Sequence, residues 1–190
     1  PLARWEFEQD FRDSIGSLHG TPHGGARLEE GALVLDGKDD YLATAPISRE
    51  IKEKTLTALV QLDNLDQRGG GVISLQTTGG GVFDAIVFGE NESRRWMAGS
   101  NGFVRTSSFQ GTEEKEATGQ PVHFAIVYKK DGTITGYRDG VLYGKQYQTG
   151  FQSYPAAGAS LLFGLRHLPA GGNKMLAGRV LQAELFDRAL

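Results

Sequence analysis

The sequence has no cysteine among its 190 residues. That excludes a disulfide scaffold, a thiolate metal site and a thiol nucleophile, and it leaves the compartment open. No apolar run comes near the ~20 residues a helix needs to cross a bilayer, so membrane insertion is not expected. No excess of positive charge exists either: Lys and Arg total 20, Asp and Glu total 23, and both signs are scattered. Without a basic stripe, nucleic acid is not an expected partner. Helical periodicity is missing throughout. A leading methionine is missing too. The chain opens on Pro1 and is expected to be a piece of a larger protein, with other domains of that parent chain among its partners.

What is present is the grammar of an all-β domain. Glycine is abundant at 27 residues and proline scarce at 6, a balance that favours turns and bulges over a disordered linker. The strongest local signal runs from Gln120 to Tyr147. Its two Asp-Gly pairs, Asp131-Gly132 and Asp139-Gly140, suit tight hairpin turns. In the first strand Val122, Phe124, Ile126 and Tyr128 fall on one face. Residues 54–62 alternate as cleanly, with Leu56, Ala58, Val60 and Leu62 together. Further strands are expected over 2–8, up to Glu29, over 32–35, 41–44, 69–76, 79–90, 94–98, 103–106, 160–166 and 177–186. Residues 10–25 and 111–120 read as polar surface loops, 148–160 as a loop with Phe151 and Tyr154 packed, and 187–190 as one possible turn of helix. A dozen or so short strands separated by turns make one antiparallel sandwich over 1–190.

The ordered set of motifs carries a resemblance. Trp5-x-Phe7-Glu8, Asp13 before a glycine-bearing loop, and Gly31 through Asp36-Gly37 to Asp40-Tyr41-Leu42 resemble the start of a bacterial laminin-G-like domain of the concanavalin A-like lectin/glucanase superfamily. Thr55-Leu56-Thr57-Ala58, His123 through Tyr128, Tyr137-Arg138-Asp139-Gly140 and Ala177 through Leu190 continue the match. The resemblance implies a jelly-roll β-sandwich of two curved antiparallel sheets. It also implies a non-catalytic module of a secreted or envelope protein, extracellular or periplasmic, that binds a polysaccharide, a glycoprotein or another protein partner. A spacer domain without a ligand is the alternative reading.

Catalytic patterns are incomplete. A glucanase of this superfamily sets carboxylates at alternating positions of one strand, with nucleophile and acid/base about 5–5.5 Å apart in retaining enzymes. Glu8 and Asp10 begin such a pattern, but Asp13 stands where the last Glu belongs. A lyase would need Gln-x-His; Gln120-Pro121-Val122-His123 has one residue too many, and Ile134 and Gly136 replace the Tyr and Gln expected after Lys130. No nucleophile elbow is present. The glycine runs at 69–71 and 79–81 lack the helix and the Lys-Ser/Thr pair of a phosphate loop and read as flexible sheet-edge connections. His19 and His23, without a carboxylate beside them, read as loop residues rather than metal ligands.

Two candidate sites remain. The resemblance implies a calcium ion at a loop edge, and Asp13, Asp36, Asp39 and Asp40 are the candidate oxygen ligands; turn-forming aspartates are the competing reading. Glycan binding needs rings that stack on sugars and planar polar groups that hold hydroxyls. The candidate set is Asp84, Arg94, Arg95, Trp96, Tyr137, Arg138 and Tyr143, with Trp96 alternatively covering the core.

Overall fold

The computed structural model describes all 190 residues. Its strands are β1 (Ala3–Trp5), β2 (Gly20–His23), β3 (Arg27–Glu29), β4 (Ala32–Asp36), β5 (Tyr41–Thr44), β6 (Lys54–Leu62), β7 (Gly70–Thr77) and β8 (Phe83–Phe88). They continue as β9 (Trp96–Ser100), β10 (Val122–Tyr128), β11 (Thr133–Arg138), β12 (Val141–Leu142), β13 (Tyr147–Gln148), β14 (Ala159–Phe163) and β15 (Ala177–Phe186). Single 3-10 turns lie at Asn101–Phe103 and Gly172–Lys174. No helix is long and apolar enough to cross a membrane.

The strands form two antiparallel sheets, as a jelly-roll sandwich requires. One has nine strands, in the order β12-β11-β10-β6-β15-β4-β3, with β1 added beside β15 and β13 beside β11. The other has six, in the order β2-β5-β14-β7-β8-β9. Strand alternation decides what faces the space between them. Leu56, Ala58, Val60 and Leu62 of β6 and Val122, Phe124, Ile126 and Tyr128 of β10 enter one 35-residue core. From the other sheet Ile73, Leu75, Ile86, Phe88, Leu161 and Phe163 meet them. Burying each such large side chain contributes about 1.5–3 kcal/mol. Aromatic edges knit the layers: Trp5 meets Phe163 at 4.8 Å between ring centroids, and Trp96 stacks on Phe124 at 5.0 Å.

Local chemistry explains where strands stop. The opening strand ends at Trp5 rather than running to Glu8, because Phe7 takes a φ of 52°. Asp139 and Gly140 both have positive φ, 49° and 78°, the geometry of a two-residue hairpin turn. Residues 103–106 form no strand; Gly102 and Phe103 both sit at a φ of 57°. The closing residues 187–190 form no helix. Strand β2 was not expected inside the polar 10–25 segment, where Pro22 and two histidines dilute the pattern.

The glycines at 69–71 prove to be something other than a flexible edge. Strand β7 lies inside its sheet, between β14 and β8. The segment 164–176 crosses the outer face of that sheet as a strap. Ser74 Oγ donates to Leu165 O at 3.0 Å, and Leu168 N–H donates to Gln76 Oε1 at 3.0 Å. A Cβ on Gly70 would sit 2.7 Å from the Leu176 Cα, and one on Gly71 would sit 2.5 Å from the Arg166 Cα. Glycine is there because another backbone passes over it.

Candidate functional site

The residues proposed for glycan contact do not form one surface. Asp84 alternates inward from β8 and is fully buried. It accepts from Arg105 Nε at 2.8 Å and Tyr154 OH at 2.8 Å, and pairs with Lys54 Nζ at 2.9 Å. Burial opposes its ionisation, yet Lys54 and Arg105 outweigh that and hold its carboxyl below the usual range. Burial lowers the Lys54 ammonium, which lies over the Tyr128 and Tyr154 rings. Asp84 is thus the single counter-ion of two buried cations that join β6, β8 and the segment after β9.

Trp96 is likewise fully buried, so its ring is closed to a sugar. Its indole N–H donates to Glu114 Oε2 at 2.8 Å. Tyr143 is buried and donates from its OH to Thr112 O at 2.6 Å. Arg138 donates from Nε to Glu114 Oε2 at 2.8 Å, and reaches Glu116 and Asp139 with its other nitrogens. Two of the expected residues, Trp96 and Arg138, therefore converge, but on Glu114, a residue placed by sequence in a solvated loop; Tyr143 joins them only by accepting the Trp96 backbone N–H at 3.3 Å. The other Glu114 oxygen accepts the backbone N–H of Lys115, Glu116 and Ala117. Burial would raise its carboxyl; the Arg138 and Trp96 donors win and hold it at about 2. The spacing Glu-x-x-Ala inside a charged run gave no sign of this burial. Arg94 pairs with exposed Asp66 at 2.7 Å, Arg95 donates to Gly111 O at 3.1 Å, and Tyr137 alternates to the outside, half-buried.

The carboxylates proposed for calcium split as well. Asp36, Asp39 and Asp40 lie within 4.8 Å of one another, and Asp13 is not one of that group. Asp36 Oδ1 accepts the backbone N–H of Lys38, Asp39 and Asp40, while Asp40 accepts from Gly25 and Asp36. Asp13 accepts from the N–H of Arg4, Ile15 and Leu18. Burial opposes the Asp13 charge, and these donors more than offset it and lower its carboxyl. Asp36 Oδ1, Asp40 and Asp13 already accept N–H groups, whereas Asp36 Oδ2 and the Asp39 carboxylate accept none; calcium takes six to eight oxygen ligands, more than these free oxygens supply alone. Melting curves in millimolar calcium and in chelator are expected to superimpose; a rise with calcium would reinstate the ion.

The glucanase-like carboxylates Glu8 and Asp10 are exposed on the loop after β1. They line a cleft of about 400 Å³ whose single apolar residue is Phe7. Phe7 itself is buried, so this cleft offers a ligand no exposed aromatic ring. His23 stacks on Tyr41 at 4.4 Å; His123 and Lys130 do not approach one another as a lyase pair, since Lys130 is exposed in the turn after β10.

A different cavity has the makings of a site. It measures about 280 Å³ and opens beside the strap, between the Gly80-Gly81 turn, Asn101–Phe103 and Arg166-His167. Phe83 projects from β8 on the side opposite Asp84 and stacks on His167 at 4.5 Å, the rings 19° apart. Burial lowers the His167 imidazole and so favours its neutral form. Glu90 Oε1 pairs with Arg166 at 2.8 Å. Glu90 Oε2 and Arg166 Nε are buried and have no partner in the protein. Burial pushes the Glu90 carboxyl up despite Arg166 beside it. Phe103, on the rim, is 47 % exposed in a left-handed conformation. A bulky residue in that conformation is strained and calls for a compensating structure. Arg105 supplies it, donating to Asn101 Oδ1 at 2.8 Å and Phe83 O at 3.0 Å. Of these residues only the glycines of the 79–81 run stood out in the sequence, as a sheet-edge connection.

Comparison with known proteins agrees with this architecture. Domain 4 of AbnA, a GH43 extracellular arabinanase from Geobacillus stearothermophilus solved with arabinotriose, superposes with a TM-score of 0.73 at 17 % identity, over 100 % of this chain and 93 % of that one. A Trypanosoma rangeli sialidase gives 0.65 at 16 % identity, over 100 % of this chain and 29 % of that one. The binding domain of botulinum neurotoxin serotype D gives 0.59 at 9 % identity, over 100 % and 48 %. At these identities the superpositions show a shared fold and nothing finer. No curated protein compared with the chain matches it. The Laminin_G_3 family model, described as concanavalin A-like lectin/glucanases superfamily, matches residues 36–190. The chain therefore belongs to the Laminin_G_3 family of the concanavalin A-like lectin/glucanases superfamily.

Proposed function

We propose that this chain is a non-catalytic carbohydrate-binding module of a larger secreted or envelope protein. The sugar sits in the cavity between the Gly80-Gly81 turn, Asn101–Phe103 and Arg166-His167. The observation that carries this reading is a cavity of about 280 Å³ rimmed by a strained, half-exposed phenylalanine. A volume at the lower end of the small-ligand range suits one or two sugar rings. An exposed ring supplies the apolar platform, and Asn101, Ser100 and the Glu90–Arg166 pair supply polar contacts. The arabinanase domain, solved with arabinotriose, supports oligosaccharides as the first ligands to try.

Calorimetric titration with a panel of plant and bacterial oligosaccharides is the test. Saturable binding is expected for at least one, and Phe103→Ala should weaken it about tenfold, the worth of one stacked ring. Because Phe103 is half-exposed, its removal should leave the melting temperature unchanged. No binding across the panel would sink the reading. A spacer role would then stand, and one observation already favours it: the strap 164–176 fills the middle of the outer sheet face.

A further inference from the structure

Two side chains bordering the cavity beside the strap have their hydrogen-bonding polarity fixed by the protein. His167 stacks on Phe83, ring centroids 4.5 Å apart. Its Nδ1 lies 2.8 Å from Leu168 O. A carbonyl only accepts, so Nδ1 carries the proton, and Nε2 of the neutral ring is left as an acceptor. Asn101 is fixed in the opposite sense. Its Oδ1 accepts from Arg105 Nη2 at 2.8 Å and from the Phe83 N–H at 3.3 Å, which leaves Nδ2 as a donor. Neither His167 Nε2 nor Asn101 Nδ2 has a partner in the protein. Both reach solvent, because the buried unpartnered atoms are Glu90 Oε2, Tyr128 OH and Arg166 Nε alone. Both residues are half-buried, and both line the cavity.

We infer that neutral His167 is the specificity-determining acceptor of this site: a free sugar hydroxyl donates to its Nε2, and acid weakens the sugar's hold. This rests on the carbohydrate reading and adds a regulation to it. The charged groups around the ring agree in sign. Arg166 adjoins it on the strap and pairs with Glu90 at 2.8 Å. Lys174 stands on the 3-10 turn of the strap and donates to Pro169 O. Arg105, behind Asn101, pairs with Asp84 at 2.8 Å. From β8 the ring meets only the uncharged Phe83. Burial lowers the imidazole, Lys174 and Arg166 push it the same way, and the Leu168 bond opposes them. The ring is therefore neutral at pH 7. Protonation puts a donor where the acceptor was and adds a positive charge beside Arg166 and Lys174. The hydroxyl that donated to Nε2 then loses its acceptor. Affinity is complete above the pKa of His167, which lies below the ordinary 6.5, and falls as pH drops through it.

The test joins calorimetry to NMR of the imidazole on the folded chain, with arabinotriose, xylotriose and cellotriose as probes. At least one should bind at pH 7.5. Its affinity should fall about three- to tenfold by pH 4.5, the usual worth of one neutral hydrogen bond. By linkage, saturation with the same sugar should pull the His167 pKa down by about half a unit to one unit. His167→Phe keeps a ring against Phe83 and removes the acceptor. It should bind about three- to tenfold more weakly at pH 7.5, with the pH dependence gone. Glu90, His19, His23 and His123 remain in that variant, so a response carried by any of them would persist there. A melting curve shows whether the variant is folded; if it is not, the His167 titration on the unaltered chain decides alone. A His167 pKa that stays or rises on saturation, an affinity flat in pH, or a His167→Phe that keeps the pH response overturns the role of His167 and leaves carbohydrate binding standing. Failure of every sugar at pH 7.5 overturns both.

Discussion

Replacing Asp84 by Asn is expected to destabilise the domain by about 3–5 kcal/mol, the cost of orphaning buried charge by removing one partner. Lys54 and Arg105 would then face each other without a counter-ion. Both are almost fully buried, with side-chain exposures of 2 % and 7 %. The amide would also replace an acceptor of three donors, Lys54, Arg105 and Tyr154, with a group that is itself half donor. Against a total stability of about 5–15 kcal/mol the loss is large. Urea unfolding followed by tryptophan fluorescence measures it. A midpoint shift worth less than about 1 kcal/mol would show that the cluster is relieved by water or by deprotonation of Lys54. Lys54→Met supplies the contrast: it removes one of the two cations and leaves the Asp84–Arg105 pair, so it should cost less than Asp84→Asn. The cluster matters beyond stability. Arg105 also holds Asn101 and Phe83, so loss of Asp84 loosens the loop that presents Phe103.

Glu114 is expected to dominate the acid sensitivity of the edge formed by β9, β11 and the segment 111–117. Its carboxyl drops from an ordinary 4.5 to about 2 in the folded chain. A folded value below the unfolded one means the stabilisation is complete above about pH 4.5 and is lost as pH falls toward 2. The drop corresponds to about 3 kcal/mol at neutral pH. Other carboxylates with lowered values, Asp13 and Asp84 among them, add to the total acid loss, so the difference between wild type and Glu114→Gln isolates this one. At pH 7 the variant should be about 2–3 kcal/mol less stable, because a glutamine N–H2 would face the Trp96 and Arg138 donors. Near pH 2 the two proteins should converge. Parallel stability curves from pH 7 to 2 would contradict the assignment.

Much of the architecture was legible in the residues. Alternation in 54–62 and 122–128 names the inward faces, because a half-buried strand must place every second side chain in the core. The Asp139-Gly140 turn is equally local. The site was not legible, for physical reasons. Trp96 between Arg and Met looks like an exposed ring on a polar strand; it is buried because Glu114, 18 residues on, folds back to meet its indole N–H. Asp84 reads as a candidate glycan contact until Lys54 of β6 and Arg105 of the segment after β9 are brought to it. The glycines at 69–71 carry no signal of the strap that passes over them, since the partner lies about a hundred residues later. Each failure concerns a face covered by a distant loop, which periodicity does not encode.

Binding of a sugar beside the strap is read most directly by backbone amide NMR. On titration with the best-binding neutral oligosaccharide, the amide signals of Gly80, Gly81, Asn101, Gly102, Phe103, Arg166 and His167 should shift together and saturate. Those of Glu6 to Ser14 and of Asp36 to Asp40 should stay in place. Shifts confined to the Glu6–Ser14 cleft, or none at saturating sugar, would contradict the account.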